Sequence, residues 1–178
     1  MDILTGDTSF SLFCRRIVSP ALRAIADHWL AARGDKRLPS WSDLNPSVMA
    51  PHFTKIWAFK YDRVTDEFYA RLAGNRIMVA FGQSFRGTPL KDLHRPDIYE
   101  KCYANQKRLV TEPAFYRGTG KLFKAGDQIV SGERIVLPLA SDGFIGDGTL
   151  GASEYDYKVL DQSRVEIIHD NEEWYSAY

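Results

Sequence analysis

The chain has 178 residues, 44% hydrophobic and 13% aromatic against 26% charged; this composition supports one packed core and excludes long disorder. Lys plus Arg and Asp plus Glu each total 23, so no global field draws the chain to nucleic acid or to an anionic membrane. Cys14 and Cys102, and the scattered His28, His52, His94 and His169, lack metal-ligand spacing, which argues against a zinc site or a disulfide scaffold.

The opening MDILTGDTSF carries acidic residues and no basic flank before an apolar run. No secretory signal is therefore expected, nothing later reaches membrane-spanning length, and a cytoplasmic location is the expectation. From Ser9 to Arg33, Phe10, Phe13, Ile17, Ala21, Ile25 and Trp29 recur every three or four positions, the period of helices with one buried stripe. Ser19 followed by Pro20 predicts a capped helix start, and Gly34 its end. The turn formers of GDKRLPSWSDLNPSVMAP predict a connecting loop with one helical turn.

HFTKIWAFKYD and EFYARLA are dense in aromatic and β-branched residues and predict two strands with a hairpin turn from Asp62 to Asp66. NRIMVAFG predicts a short helix that starts at an Asn75 cap and ends at Gly82. DIYEKCYANQKRLVTE predicts a longer helix capped by Asp97 and stopped by Pro113, with Ile98, Cys102, Asn105 or Gln106, and Leu109 on one face. AFYRGTGKLF, IVSGERIVLPLA and GTLGASEYDYKVL predict three more strands, separated by turns at Ala125 to Asp127 and at Asp142-Gly143. Five strands interrupted once by helices predict an α+β domain: a five-stranded antiparallel sheet with helices on one face and an N-terminal helical extension.

This order and punctuation resemble a PAS domain, with motifs matching across roughly residues 50 to 158. Arg71-Leu72-Ala73-Gly74-Asn75 is similar to the end of that family's second strand. Phe81-Gly82-Gln83-Ser84 with Gly87 resembles its glycine-marked passage, and His94-Arg95-Pro96-Asp97 its His-Pro-Asp motif. Ile135-Val136-Leu137-Pro138-Leu139 with Asp142-Gly143 is similar to its penultimate strand and turn. Arg37-Leu38-Pro39-Ser40, with Asp43 and Pro46, resembles the lead-in of a bacterial subfamily in which one PAS-like domain forms most of the chain. The implied division is a helical extension and loop over 1–49, a sensor domain over 50–158 and a C-terminal tail over 159–178.

The resemblance implies sensing through a pocket between sheet and helices, mostly apolar with a few orienting polar groups. Trp57, Phe59 and Tyr61 share one face of the first strand, and Tyr69 and Arg71 one face of the second; which face turns inward is left open. The ligand-binding candidates are Trp57, Phe59, Tyr69, Arg71, His94, Tyr103 and Arg134. Arg71 and Arg134 each interrupt an apolar strand, as an outward charge, an ion pair or a partner for a ligand carboxylate or phosphate would.

No cofactor is expected. The longer helix has no histidine to hold haem, and the flavin-adduct Asn-Cys-Arg sequence is replaced by Phe85-Arg86-Gly87-Thr88. Gly146-Asp147-Gly148-Thr149-Leu150-Gly151 fits a dinucleotide fingerprint, but a strand rather than a helix is predicted after it, so a glycine-rich hairpin is the reading. No nucleophile elbow or phosphate loop appears, and no catalytic residue is assigned. Since no kinase, cyclase or DNA-binding region follows residue 158, a ligand-sensing module signalling through a partner protein is expected, with a homodimer formed through the N-terminal helix. The alternatives are a ligand-free interaction module and a small α+β enzyme acting on a metabolite.

Overall fold

A computed structural model describes residues 8–81, 85–156 and 165–178. Two N-terminal helices, α1 (Ser9–Arg16) and α2 (Pro20–Arg33), lead through a 3-10 turn at Trp41–Asp43, α3 (Pro46–Met49) and a second 3-10 segment at Ala50–Lys55 into the sheet. The strands β1 (Ile56–Asp62) and β2 (Glu67–Ala73) form a hairpin. It is followed by α4 (Asn75–Phe81), α5 (Leu90–Leu93) and α6 (Pro96–Thr111), then β3 (Ala114–Ala125), β4 (Gln128–Leu139), β5 (Gly148–Tyr155), β6 (Val165–Ile167) and β7 (Asn171–Ser176). None of the described helices is long and apolar enough to cross a membrane.

The local signals explain most boundaries. Ser19 Oγ accepts the Leu22 amide at the start of α2, Pro20 takes the first helical position, and Gly34 ends the helix at φ 53°, a left-handed geometry that glycine adopts without a Cβ clash. Two caps differ from expectation. Gly74, not Asn75, holds the cap position of α4, its carbonyl accepting from Ile77 and Met78. Asp97 does not cap α6: Arg95 is the N-cap, Pro96 leads the helix, and the Asp97 carboxylate is gripped by the Arg95 guanidinium at 2.6 and 3.1 Å. A proline at the first position moves the cap one residue upstream, and the neighbouring cation outcompetes the helix amides for the carboxylate. The first expected strand also starts late, because Pro51 supports the 3-10 segment before Ile56. The expected helix stop at Gly82 lies outside the described residues.

The sheet is antiparallel in the order β2-β1-β5-β4-β3-β6, with β7 also on β3. Among the described residues it therefore has seven strands where five were expected. The C-terminal segment, read as a tail, lines the free edge of β3: β7 pairs with Ala114 to Thr119 and β6 with Phe123 to Ala125. Short, charge-rich strands such as NEEWYS are typical of sheet edges and carry little hydrophobic alternation, so nothing local marks them as strands.

Alternation along the central strands separates two cores. Ile135, Leu137, Leu150, Ala152 and Phe115 face α1 and α2, where Phe10, Phe13, Leu22, Ile25 and Trp29 complete a dry cluster. Trp29 stands edge-on to Phe115 at 5.1 Å and donates its indole N–H to the Pro138 carbonyl at 2.8 Å. Of the two roles open to the apolar stripe, covering the sheet or pairing with a second copy, the chain's own sheet takes it up, as the burial of apolar surface favours. The opposite face carries α4, α5 and α6 over Phe59, Phe68, Ala70 and Val136.

Candidate functional site

Between α6 and the sheet lies a cavity of about 80 Å³. Two rows of cross-strand neighbours form its floor. On the face toward α6, Ser153 pairs across β5 and β4 with Arg134, and Arg134 across β4 and β3 with Gly118; in the next row Gly151 pairs with Trp57 and Val136. The glycines of the dinucleotide-like motif are packing devices. A Cβ on Gly151 would sit 2.1 Å from a Trp57 ring carbon, and one on Gly146 2.5 Å from the Val110 carbonyl.

Trp57, Phe59, Ile77, Leu90, Leu109 and Val136 supply apolar wall. Asn105, Gln106, His94, Tyr116, Arg134, Ser153 and His169 supply polar groups. Four of the seven sequence candidates line the cavity: Trp57, Phe59, His94 and Arg134. Three lie elsewhere. Tyr69 reaches back to the Thr65 hydroxyl, Arg71 lies over the Trp41 ring on the opposite side of the sheet, and Tyr103 packs edge-on against Phe68 beyond the cavity. Strand alternation decides the first two, since Phe68 and Ala70 take the inward face of β2 and their neighbours point away.

His169 and Glu172, from the C-terminal segment, were not found by sequence reading, and nothing local announces them. Pairing of β6 and β7 with β3 brings them over α6. There His169 Nε2 lies 3.8 Å from Cys102 Sγ, and its Nδ1 lies 3.3 Å from the Asn105 amide and 3.2 Å from Glu172. Glu172 is also bound by Lys101 at 2.9 Å and by the Asn105 amide at 2.8 Å. A signal for Ser153 and Thr149 was present in the alternation of β5, which sets both on one face between the apolar Leu150 and Ala152 of the other.

The order Cys102, His169, Glu172 resembles a nucleophile, a base and an orienting acid. Its electrostatics do not activate the thiol. Burial pushes the Cys102 thiol up to about 11, while burial and the Arg134 charge push His169 down to about 4. Both groups are therefore neutral near pH 7, far from the ion pair of an activated cysteine. Burial likewise raises Tyr116 and Tyr155. Every resolved shift among the lining groups favours the uncharged form, the mark of a dry pocket.

Arg134 is the permanent charge in this set. It is 6% exposed and donates to Ser153 Oγ and to the Leu122 carbonyl, both at 3.4 Å. Ser153 Oγ also accepts the Trp57 indole N–H at 3.2 Å, and Thr149 donates to Gln106 Oε1 at 2.7 Å.

A family model described as PAS domain matches residues 17–153, a span that takes in α2 and ends within β5. No curated protein matches the chain. Among solved structures, that of a single-substitution variant of RsLOV aligns with a TM-score of 0.44 at 13% identity, covering 64% of this chain and 66% of that one.

Proposed function

The chain belongs to the PAS domain family, and on that premise we propose that it is a sensory module that holds a small molecule non-covalently between α6 and the sheet and passes its state to a partner protein. The observation that carries this reading is the cavity itself: an apolar chamber with a few convergent polar groups, the ordinary make-up of a small-molecule site. Its volume, about 80 Å³ with part of its boundary open, suits an occupant of a few heavy atoms, since an apolar cavity of about 150 Å³ takes up benzene.

A non-enzymatic role is supported by the neutral thiol and imidazole, which lie on the wrong sides of neutrality for a general acid or base. Communication with a partner has a short physical route. His169 and Glu172 touch α6 and belong to the segment that edges the sheet through β7, so occupancy of the cavity and the position of that edge are coupled. The partner reads this edge.

Native mass spectrometry of the purified protein, followed by denaturing release, tests the reading. A small co-purified species is expected, and backbone resonances of α6, β4 and β5 should shift when it is removed and restored. A bare chain mass, together with no solute of three to six heavy atoms shifting those resonances, rejects it.

A further inference from the structure

Resting on the cavity reading above, the geometry points to a short monocarboxylate as the occupant, its carboxylate neutralised by Arg134 and its tail against Trp57, Phe59 and Leu109. The sheet buries two arginines on adjacent strands, one per face. Arg117 has its counter-charge built in: Glu133 accepts from its Nε at 2.7 Å and Glu173 from its terminal nitrogen at 3.2 Å. Arg134 is as deeply buried, yet among the described residues no carboxylate pairs with it: its hydrogen bonds go to neutral oxygens, long ones to Ser153 and the Leu122 carbonyl and one to the Tyr155 hydroxyl. A buried charge without a counter-charge is costly, and a planar guanidinium fork matches a carboxylate.

The surrounding groups fit an acceptor. Ser153 Oγ accepts from Trp57 and Arg134 and also shares a hydrogen bond with the Tyr155 hydroxyl, so a carboxylate would compete with that phenol for its O–H. Gln106 Oε1 is occupied by Thr149, which leaves its NH₂ free to donate. Asp and Glu side chains do not line the cavity among the described residues. Glu172 shares the cross-strand row of Arg134 beyond Gly118 but is bound by Lys101 and Asn105. With Arg134 the sole Lys or Arg side chain among the described lining residues, one negative charge is balanced and a phosphate dianion is not. A partly open cavity of about 80 Å³, roughly half the volume of one that takes up benzene, suits the shortest chains, of about two to four carbons, with the longer tails reaching its open side.

The test is an NMR titration of the full chain, at constant ionic strength, with acetate, propionate and butyrate and with the amides of the same shape. Xenon serves as an uncharged probe of the cavity. Carboxylates should saturably shift the Arg134 Nε–H and Ser153 resonances, about tenfold or more tighter than the matched amides, because amides leave the charge unmatched. Arg134→Met should lose that binding, Arg134→Lys should keep a weaker form of it, and ligand-free Arg134→Met should melt at or above wild type. Equal affinity for acid and amide, undiminished binding by Arg134→Met, tighter binding of inorganic phosphate, or a Tm of Arg134→Met well below wild type would each overturn the anion assignment while xenon uptake leaves the cavity reading standing. Exclusion of xenon and of every solute removes the cavity reading and, with it, this one.

Discussion

On the face of the sheet covered by α1 and α2, Arg117 is tied to Glu133, and Glu133 also accepts the amides of Val18 and Ser19 at 2.7 to 3.1 Å. On the face covered by α6, Arg134, the next residue after Glu133, lies against a cavity and the neutral oxygens of Ser153, Leu122 and Tyr155. The first face is closed: aromatic rings interlock, and its buried Arg117–Glu133 pair also pins the elbow between the two helices. The second is left open in both volume and charge. The difference teaches where to look for function in such a domain, because packing and electrostatics are complete on one side of a single sheet and incomplete on the other.

The largest effect expected from breaking that contrast is at Glu133. Glu133→Ala leaves Arg117 with Glu173 as its remaining carboxylate and strands two backbone amides, and should cost about 3–5 kcal/mol in urea unfolding; the adjacent Arg134→Met should cost nothing or stabilise. Equal losses at the two positions would mean that the faces are alike.

Next comes acid. The folded pKa of His169 is pushed down to about 4 from 6.5, so the unfolded chain binds the proton first as pH falls. The stability associated with its neutral form is complete above pH 6.5 and is lost between there and about pH 4, by up to about 3 kcal/mol. His28 is lowered in the same direction, so the difference between wild type and His169→Asn isolates the share of His169. Parallel stability curves for the two proteins over that range would show that His169 is not buried as described.

Overpacking should separate the faces by less. Ala152→Val, pressed into the dry cluster, should cost about 1–3 kcal/mol, whereas Val136→Ile, with room in front of it, should cost under about 1 kcal/mol. Thermal melts measure both. The smallest effect is expected at Arg71, whose guanidinium lies 4.9 Å from the Trp41 ring centroid. Arg71→Ala should cost about 0.5–1 kcal/mol and leave ligand affinity unchanged; a loss of affinity would return it to the site.

Much of the fold was legible from local signals. Ser19-Pro20 and Gly34 delimit α2, the Asp62 to Asp66 turn makes the first hairpin, and Pro113 separates α6 from β3. The helix face through Cys102, Asn105, Gln106 and Leu109 was also readable, and it is the face that lines the cavity. Asp97 failed as a cap because Pro96 takes the first helical position and the Arg95 guanidinium takes its carboxylate.

What the sequence determined by itself were periods and punctuation: a helical stripe from Phe10 to Trp29, alternating strands, and a motif order that resembles the family the chain belongs to. Those are short-range properties, fixed by backbone sterics and by the spacing of apolar side chains. Which side of each strand faces which helix, the pairing of β6 and β7 along β3, and the meeting of His169 with Cys102 were decided only by tertiary structure. So were the opposite fates of Glu133 and Arg134. The alternation of β4 sends these neighbours to opposite faces, but only the elements packed on each face decide that one finds its counter-charge and the other a cavity.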